Sequence, residues 1–276
     1  MTRSTNHRRV DLLGIEIAAL RMDELLRICQ EHIAEKRSLL LSVVNVAKLV
    51  NSRKNSQLRK SVMEADIVLA DGLPIVWVSR LIGDPLPERL AGIDIMYRLL
   101  ERASQSNYGV YFLGAQKSVV QKVVQTIKRQ YPGLRIAGHR DGYFAESESK
   151  EVAQEIRDSS ADILLVAISS PKKEIFLRDW RKFMNVPVCH GVGGSFDILA
   201  GTTKRAPSWV QRCGMEWLYR LIQEPRRMWK RYLVTNTIFV RLSLQAILRS
   251  RLRPLHAAVD TTVSNCRDRN HPKPSE

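Results

Sequence analysis

A carboxylate at the end of an apolar run is the first candidate for chemistry in this sequence. Residues 66–70 have the composition of a buried strand, and Asp71 and Gly72 follow at once. The glycine permits a tight turn, and Pro74 can open the next helix. Ligands bind at the carboxyl ends of strands in α/β sheets, so Asp71 is a candidate general base. The alternative is that Asp71 and Gly72 only form a turn.

Three clusters further along the chain suit a phosphorylated ligand. They are Glu88-Arg89, Pro171-Lys172-Lys173-Glu174 and Gly193-Gly194-Ser195-Phe196-Asp197. Arg89 could hold a phosphate through two parallel hydrogen bonds, or it could pair with an aspartate of the fold. Lys172 and Lys173 fall at a predicted helix start, where positive charge is unfavourable. This conflict indicates either contact with an anionic ligand or a solvated first turn in which only Glu174 suits the helix dipole.

The glycines at 193 and 194 would let a diphosphate or ribose approach the backbone, and Asp197 could accept hydrogen bonds from a sugar or base. The spacing is not that of a dinucleotide-binding loop. Residues 113–118 also resemble a phosphate loop, but they lack its second glycine, so a helix start is the simpler interpretation.

Metal ligands are not apparent in the sequence. No Asp-x-Asp pair occurs, and the six histidines do not have the spacing of a metal site. The sequence therefore predicts no metal and no other cofactor.

The net charge of +16 predicts a polyanionic partner, which could be nucleic acid, anionic lipid or a phosphorylated substrate. Residues 202–253 hold twelve basic and two acidic side chains, so most of this charge belongs to one segment. The four cysteines form no Cys-x-x-Cys pair, no secretion signal begins the chain, and no apolar segment is long enough to span a bilayer. We therefore expect a cytoplasmic protein with reduced thiols.

Strand-like and helix-like segments alternate regularly up to residue 201. Strands are predicted at 39–44, 66–70, 110–114, 134–137, 162–168 and 186–192, and helices at 22–36, 46–65, 93–106, 117–131, 148–159 and 172–184. The near-continuous apolar strands indicate burial on both faces. The pattern predicts an α/β fold with a mostly parallel, Rossmann-like sheet and helices on both faces.

The predicted domain organisation has three parts. Residues 1–201 form the α/β core, residues 202–253 a basic helical appendage, and residues 254–276 a disordered tail. Arg220, Arg227 and Arg231 have spacings that can share a helical face beside tryptophans. Aromatic and cationic side chains together suit a membrane interface, so the appendage is predicted to lie on anionic lipid. The alternative is a basic helical hairpin packed on the core.

Ten motifs in this order resemble the WecG/TagA/CpsF family, also known as glycosyltransferase family 26. They are Asn45, Ala70-Asp71-Gly72, Glu88-Arg89-Leu90-Ala91-Gly92, Tyr131-Pro132-Gly133, Gly142-Tyr143-Phe144, Pro171-Lys172-Lys173-Glu174, Gly193-Gly194-Ser195-Phe196-Asp197, Gly201, Arg205-Ala206-Pro207 and Glu216-Trp217-Leu218-Tyr219-Arg220. The resemblance covers residues 10–231.

The resemblance implies an inverting, metal-independent transfer from a UDP-sugar to a polyprenyl-diphosphate-linked saccharide in exopolysaccharide or other surface-polysaccharide synthesis. It places the enzyme peripherally on the inner face of the bacterial cytoplasmic membrane, with Asp71 as the base. The predicted substrate-binding residues are Asn45, Arg89, Lys172, Lys173, Glu174, Gly193, Gly194, Asp197, Arg220, Arg227 and Arg231. Relatives usually carry glutamine where Lys173 stands, so the donor sugar does not carry over.

Two other functions stay open from the sequence. A nucleotide-sugar-binding relative without activity is one, because Val43 and Lys173 depart from the usual motifs. A basic nucleic-acid-binding protein is the other, although aromatic residues are only 7% of the chain and recognition motifs are absent, so we expect no nucleic acid. The sequence also leaves open whether the chain forms a homo-oligomer.

Overall fold

The computed structural model describes the backbone of residues 7–268 and the side chains of residues 7–226 and 228–252. The strands are β1 (Arg9–Leu12), β2 (Ile15–Ala18), β3 (Leu39–Val44), β4 (Ile67–Ala70), β5 (Gly109–Gly114), β6 (Arg135–Arg140), β7 (Ile163–Ala167) and β8 (Val188–Gly191). The helices are α1 (Met22–Ala34), α2 (Val46–Lys54), α3 (Ser56–Met63), α4 (Leu73–Leu81), α5 (Gly92–Ser106), α6 (Lys117–Gln130), α7 (Ser149–Asp158), α8 (Lys172–Met184), α9 (Ser195–Leu199), α10 (Ser208–Arg212), α11 (Glu216–Gln223) and α12 (Pro225–Asp268).

The strands β3 to β8 form one parallel sheet in the order β4-β3-β8-β7-β5-β6. Each predicted strand matches one of these six, with ends that differ by a few residues. The predicted parallel α/β fold is confirmed. All six carboxyl ends lie along one edge of the sheet, and the loops after β3, β4, β7 and β8 carry most of the predicted site residues.

Side chains alternate between two apolar layers. In β5, Val110 and Phe112 pack in the cluster that contains α1, α5 and α6, whereas Tyr111 and Leu113 pack with α7 and α8. Every residue of β5 is buried. Burial on both faces is why the strands have near-continuous apolar sequences rather than an alternating pattern.

A short antiparallel hairpin, β1 and β2, precedes the sheet and was not predicted. Its two-residue turn, Leu13 and Gly14, has positive φ at both positions, which matches the twist of a tight hairpin. Val10, Leu12, Ile15 and Ile17 are buried against α2, α3 and α4. The sequence signal was a pair of alternating runs around a turn containing glycine.

The helix predicted over residues 46–65 is two helices in the structure. Asn55 has extended backbone angles and its side chain accepts a hydrogen bond from the Leu58 amide at 2.9 Å. Asparagine competes for backbone hydrogen bonds and favours helix starts, so Asn55 ends α2 and caps α3.

The C-terminal segment folds as α10, α11 and the long helix α12. One face of α12, with Met228, Thr235, Phe239 and Ser243 buried, packs along α2 and contacts α4 and α11. Among the described residues, no helix combines the length and hydropathy needed to cross a bilayer. The boundary at residue 201 stays a prediction. Of the predicted disordered tail, residues 254–276, the backbone of residues 254–268 continues α12, and residues 269–276 lie outside the described part of the chain.

Gly114 provides a test of the β5–β7 junction. It has a φ of +125°, and a Cβ there would lie 2.5 Å from the Ala167 carbonyl carbon, in a neighbouring strand that cannot shift alone. We expect Gly114→Ala to lower the free energy of unfolding by more than about 3 kcal/mol in urea denaturation.

Gly83→Ala is the matched control for Gly114→Ala. Gly83 also has a positive φ, +89°, but no atom lies within 4 Å of the position that its Cβ would take. Only the backbone cost of about 1–2 kcal/mol should appear. Equal losses in the two variants would contradict the close packing of β5 on β7.

Candidate functional site

Asp71 lies at the carboxyl end of β4 with a half-buried carboxylate. Its Oδ1 accepts a hydrogen bond from the Gly92 amide at 3.0 Å, and Asn45 Nδ2 lies 3.5 Å from its Oδ2. The Leu90 amide donates to the Ala70 carbonyl at 2.8 Å, which fastens residues 90–92 along the end of β4. Because Gly92 begins α5, the carboxylate also faces the electropositive end of that helix. These contacts fix the position of an acid that remains partly accessible.

Asn45 connects this acid to α2. It is the N-cap of that helix, and its Oδ1 accepts a hydrogen bond from the Lys48 amide at 3.0 Å. The Nδ2 group of the same side chain points toward Asp71 Oδ2. The structure therefore places the predicted ligand residue Asn45 beside the candidate base, in a capping role.

Glu174 is buried between two lysines. Lys48 Nζ lies 2.8 Å and Lys173 Nζ 3.4 Å from Glu174 Oε1. Burial alone would raise the pKa of Glu174, but the two ammonium groups outweigh it and lower this pKa to about 2. The pKa of Lys173 is lowered to about 8, chiefly by burial and secondly by Lys48, with Glu174 opposing. Two cations thus share one carboxylate.

Glycine residues make room for the Lys173 side chain. A Cβ on Gly191 would lie 2.8 Å from Lys173 Cδ, and one on Gly193 would lie 3.8 Å from Lys173 Nζ. The aliphatic part of the Lys173 side chain crosses the end of β8. Its ammonium group reaches residues 192–194, the glycine loop that follows β8. The glycines were predicted to let a ligand come close to the backbone. At Gly191 it is the Lys173 side chain that comes this close.

Lys172 points elsewhere. Its Nζ donates a hydrogen bond to the Phe144 carbonyl and lies 4.0 Å from the centroid of the Phe144 ring. Lys172 and Lys173 were both predicted to bind the substrate, but their ammonium groups point to different parts of the structure. Only Lys173 reaches the glycine loop.

Arg89 is part of a four-residue ion-pair cluster. Its guanidinium pairs with Asp94 at 3.1 Å and with Glu216 of α11, and Arg205 Nη2 lies 2.5 Å from Asp94 Oδ1. Burial raises the pKa of Glu216, Arg89 opposes this rise, and the Asp71 carboxylate adds to it. Of the two predicted roles of Arg89, the structure shows the pairing with an aspartate.

Arg220 of α11 lies over the glycine loop. A Cβ on Gly194 would lie 3.1 Å from Arg220 Nη2 and 3.7 Å from Asp197 Oδ2. The predicted residues Gly194, Asp197 and Arg220 are therefore close together. Arg231 is exposed on α12, and the side chain of Arg227 lies outside the described residues.

Sequence reasoning missed five residues of this region: Lys48, Asp94, His190, Arg205 and Glu216. Lys48, the third residue of α2, carried no signal in its local sequence. His190, Arg205 and Glu216 were inside or beside noted motifs, but their partners are far along the chain.

His190 is completely buried in β8. Its Nε2 lies 3.0 Å from the Gly92 carbonyl oxygen, and burial is the main cause that lowers its pKa to about 4. The imidazole is thus neutral near pH 7, and it must donate from Nε2 because a carbonyl only accepts.

Among the described residues, no group of three or more His, Cys, Asp and Glu side chains is arranged to hold a metal ion. What the site offers a ligand is one fixed carboxylate, two cations from separate elements and the glycine-loop backbone. The cations are Lys173 and Arg220. This combination suits a substrate that carries a phosphate group next to a hydroxyl that must lose a proton.

This chain is similar to known proteins of one family. The model of the "Glycosyl transferase WecG/TagA/CpsF family" matches residues 10–253. A Bacillus spizizenii protein is 41% identical over 180 residues, which cover 65% of this chain and 69% of the relative. A Bacillus subtilis protein is 36% identical over 204 residues, which cover 74% and 78%. Both relatives are named N-acetylglucosaminyldiphosphoundecaprenol N-acetyl-beta-D-mannosaminyltransferase.

The buried ammonium of Lys173 should make stability depend on pH. Its folded-state pKa of about 8 lies below the ordinary lysine pKa of 10.5, so the unfolded chain binds more protons between these values. Stability therefore rises with pH across this window, by up to about 3 kcal/mol. Lys173→Gln should remove this rise in urea denaturation measured from about pH 7.5 to 10.5.

Lys60→Gln is the control for Lys173→Gln, because the Lys60 side chain is 64% exposed. It should keep the slope of the unmodified protein. A Lys173→Gln variant with that same slope would show that Lys173 is not buried as an ammonium group.

Proposed function

Because the chain belongs to the WecG/TagA/CpsF family of glycosyltransferases, we propose that it transfers a sugar from a UDP-sugar to a polyprenyl-diphosphate-linked saccharide. The transfer inverts the anomeric configuration, needs no metal ion and serves the synthesis of an exopolysaccharide or another surface polysaccharide. The names of the two relatives support the acceptor class, since both specify a diphosphoundecaprenol-linked N-acetylglucosamine.

The observation that carries the proposal is the fixed carboxylate of Asp71. In a single displacement, the acceptor hydroxyl oxygen bonds to the anomeric carbon as its proton passes to Asp71. The bond from that carbon to the UDP oxygen breaks, and its electron pair leaves with UDP. Attack from the face opposite UDP gives inversion. A positioned base contributes roughly 100- to 10,000-fold to such a step.

The departing UDP gains negative charge that the site has to stabilise. Lys173 and Arg220 both lie at the glycine loop, and the loop adds backbone N–H groups. Arg89 is paired with Asp94 and Glu216, so we assign it a structural role in holding α11 over the site. Fixed cations of this kind support a reaction that does not require a metal ion.

The C-terminal segment supports attachment to the inner face of the cytoplasmic membrane. Opposite its packed face, α12 exposes an apolar stripe formed by Trp229, Leu233, Val240, Leu244 and Leu248. These spacings of four and seven residues place the stripe on one side of the helix. Basic residues flank it, as expected for a helix that lies on anionic lipid. A lipid-linked acceptor presents its diphosphate at such a surface.

Replacing the base tests the reaction. Asp71→Asn keeps an acceptor for the Gly92 amide but cannot take the proton, so kcat should fall roughly 100- to 10,000-fold. The measurement is transfer of radiolabelled sugar from a panel of UDP-sugars, including UDP-N-acetylmannosamine, to a short-chain lipid diphosphate acceptor. UDP affinity by calorimetry should stay within about threefold of the unmodified protein.

Asp158→Asn, on the exposed surface of α7, is the control for Asp71→Asn. Full turnover in Asp71→Asn would exclude this residue as the base. Absence of transfer from every donor in the unmodified chain would instead favour the inactive nucleotide-sugar-binding alternative.

Charging the apolar stripe tests the membrane part of the proposal. Leu244→Glu with Leu248→Glu places two carboxylates among side chains that would contact lipid. Binding to phosphatidylglycerol vesicles in a sedimentation assay should weaken by at least about tenfold. Transfer to a soluble short-chain acceptor should persist, because both positions lie outside the site.

Met63→Glu is the matched control for the stripe variant, since Met63 is an exposed apolar residue of α3. It should bind vesicles like the unmodified protein. Equal vesicle binding by the control and the stripe variant would refute the proposed orientation of α12.

A further inference from the structure

His190 is a buried histidine that the proposed reaction does not use. It pairs with Leu41 of β3 and Leu165 of β7 in the middle of the sheet, and none of its surface is exposed. A buried polar side chain is costly unless it makes hydrogen bonds. His190 makes such a bond from Nε2 to the Gly92 carbonyl, at 3.0 Å.

Gly92 links this histidine to the candidate base. Its carbonyl accepts from His190, and its amide donates to Asp71 Oδ1, with both distances 3.0 Å. Gly92 is the first residue of α5, so these two hydrogen bonds act on a backbone that the helix also holds. A Cβ on Gly92 would make a tight contact of 3.3 Å with Val43 Cγ2 and an ordinary contact of 3.7 Å with His190 Nε2, so the backbone lies close to both side chains.

We propose that His190 is a positioning residue for Asp71 and acts through the backbone of Gly92. By holding the Gly92 carbonyl, the imidazole fixes the direction of the Gly92 amide, and that amide fixes the carboxylate. This inference rests on the proposed function, since it needs Asp71 to be the base.

The surroundings of His190 keep the imidazole neutral, so that Nε2 remains the hydrogen-bond donor to Gly92. Burial is the main cause that lowers its pKa to about 4; the hydrogen bond to Gly92 and the Asp71 carboxylate oppose this, while Lys173 and Lys48 add to it. The ring therefore stays neutral with a proton on Nε2 throughout the neutral range. Direct proton transfer to substrate by His190 does not fit its complete burial.

A pair of amide substitutions separates positioning from packing. Glutamine can present an N–H close to the place of imidazole Nε2, whereas asparagine reaches only to the place of Nδ1. With UDP-sugar and a short-chain acceptor, His190→Gln should keep kcat within about threefold, and His190→Asn should lose at least about tenfold. The KM for the donor should change by less than about twofold in both variants, because the missing contact orients the base and does not bind the donor.

His32→Asn is the matched control. His32 is also a buried histidine, 6% exposed, with Nδ1 3.2 Å from the Arg37 carbonyl, but it lies on α1 and has no contact with Gly92 or Asp71 among those described. The kcat of the His32→Asn variant should equal that of the unmodified protein. UDP calorimetry and thermal melting on all variants report whether the site is intact.

The outcomes distinguish this inference from the proposed function. Equal kcat values for His190→Asn and His190→Gln, whether high or low, would overturn the positioning role, and so would loss of UDP binding in both variants. A reduced kcat that glutamine restores, with donor KM unchanged, would support it. If the unmodified chain transfers no sugar, the proposed function itself fails and the inference loses its premise.

Discussion

The arrangement of the site depends on one constraint. The Asp71 carboxylate, at the carboxyl end of the apolar strand β4, has to be held in place while it stays partly accessible. The Gly92 amide meets this requirement because residues 90–92 run along the end of the strand, held by the hydrogen bond from Leu90 to Ala70. The same residues start α5, whose buried face helps to form the largest apolar layer. The same short segment therefore holds the Asp71 carboxylate and begins a helix of the core, so a change in core packing at α5 should also disturb the position of Asp71.

Two clusters of charged side chains lie near this carboxylate. Arg89 and Arg205 meet Asp94 and Glu216, two cations with two acids. In the second cluster, Lys48 and Lys173 both pair with Glu174, and the Asp71 carboxylate also acts on Lys173. Arg89 has two acidic partners of its own, whereas Lys173 shares Glu174 with Lys48 and lies at the glycine loop, where a diphosphate is proposed to bind. We therefore propose Lys173 rather than Arg89 as the cation for the nucleotide.

The sequence was sufficient for the parallel sheet because five of its six strands, all except the edge strand β6, are completely buried and most of them appear as apolar runs with clear ends. It was insufficient for the β1–β2 hairpin, whose four-residue strands are short, and for Asn55, whose helix-capping preference was overlooked in a long periodic stretch. Within the site, Asp71, Gly194 and Asp197 could be proposed because strand ends and glycines are local signals. Lys48, His190 and Glu216 could not, because their roles arise from contacts that only the folded chain creates.

The position of the C-terminal segment is compatible with both roles that the sequence left as alternatives. Phe239 of α12 is buried in the same apolar cluster as Leu49 of α2, so the helix packs on the core as an ordinary structural element would. Its opposite side carries the exposed apolar stripe that is proposed to contact lipid. Because Asn45 caps α2 and lies beside Asp71, any lipid contact made by α12 would be connected to the proposed base through one packed helix. If α12 contacts the membrane as proposed, its packing on the core would fix the distance between the bilayer and Asp71, which a flexible tether would leave variable.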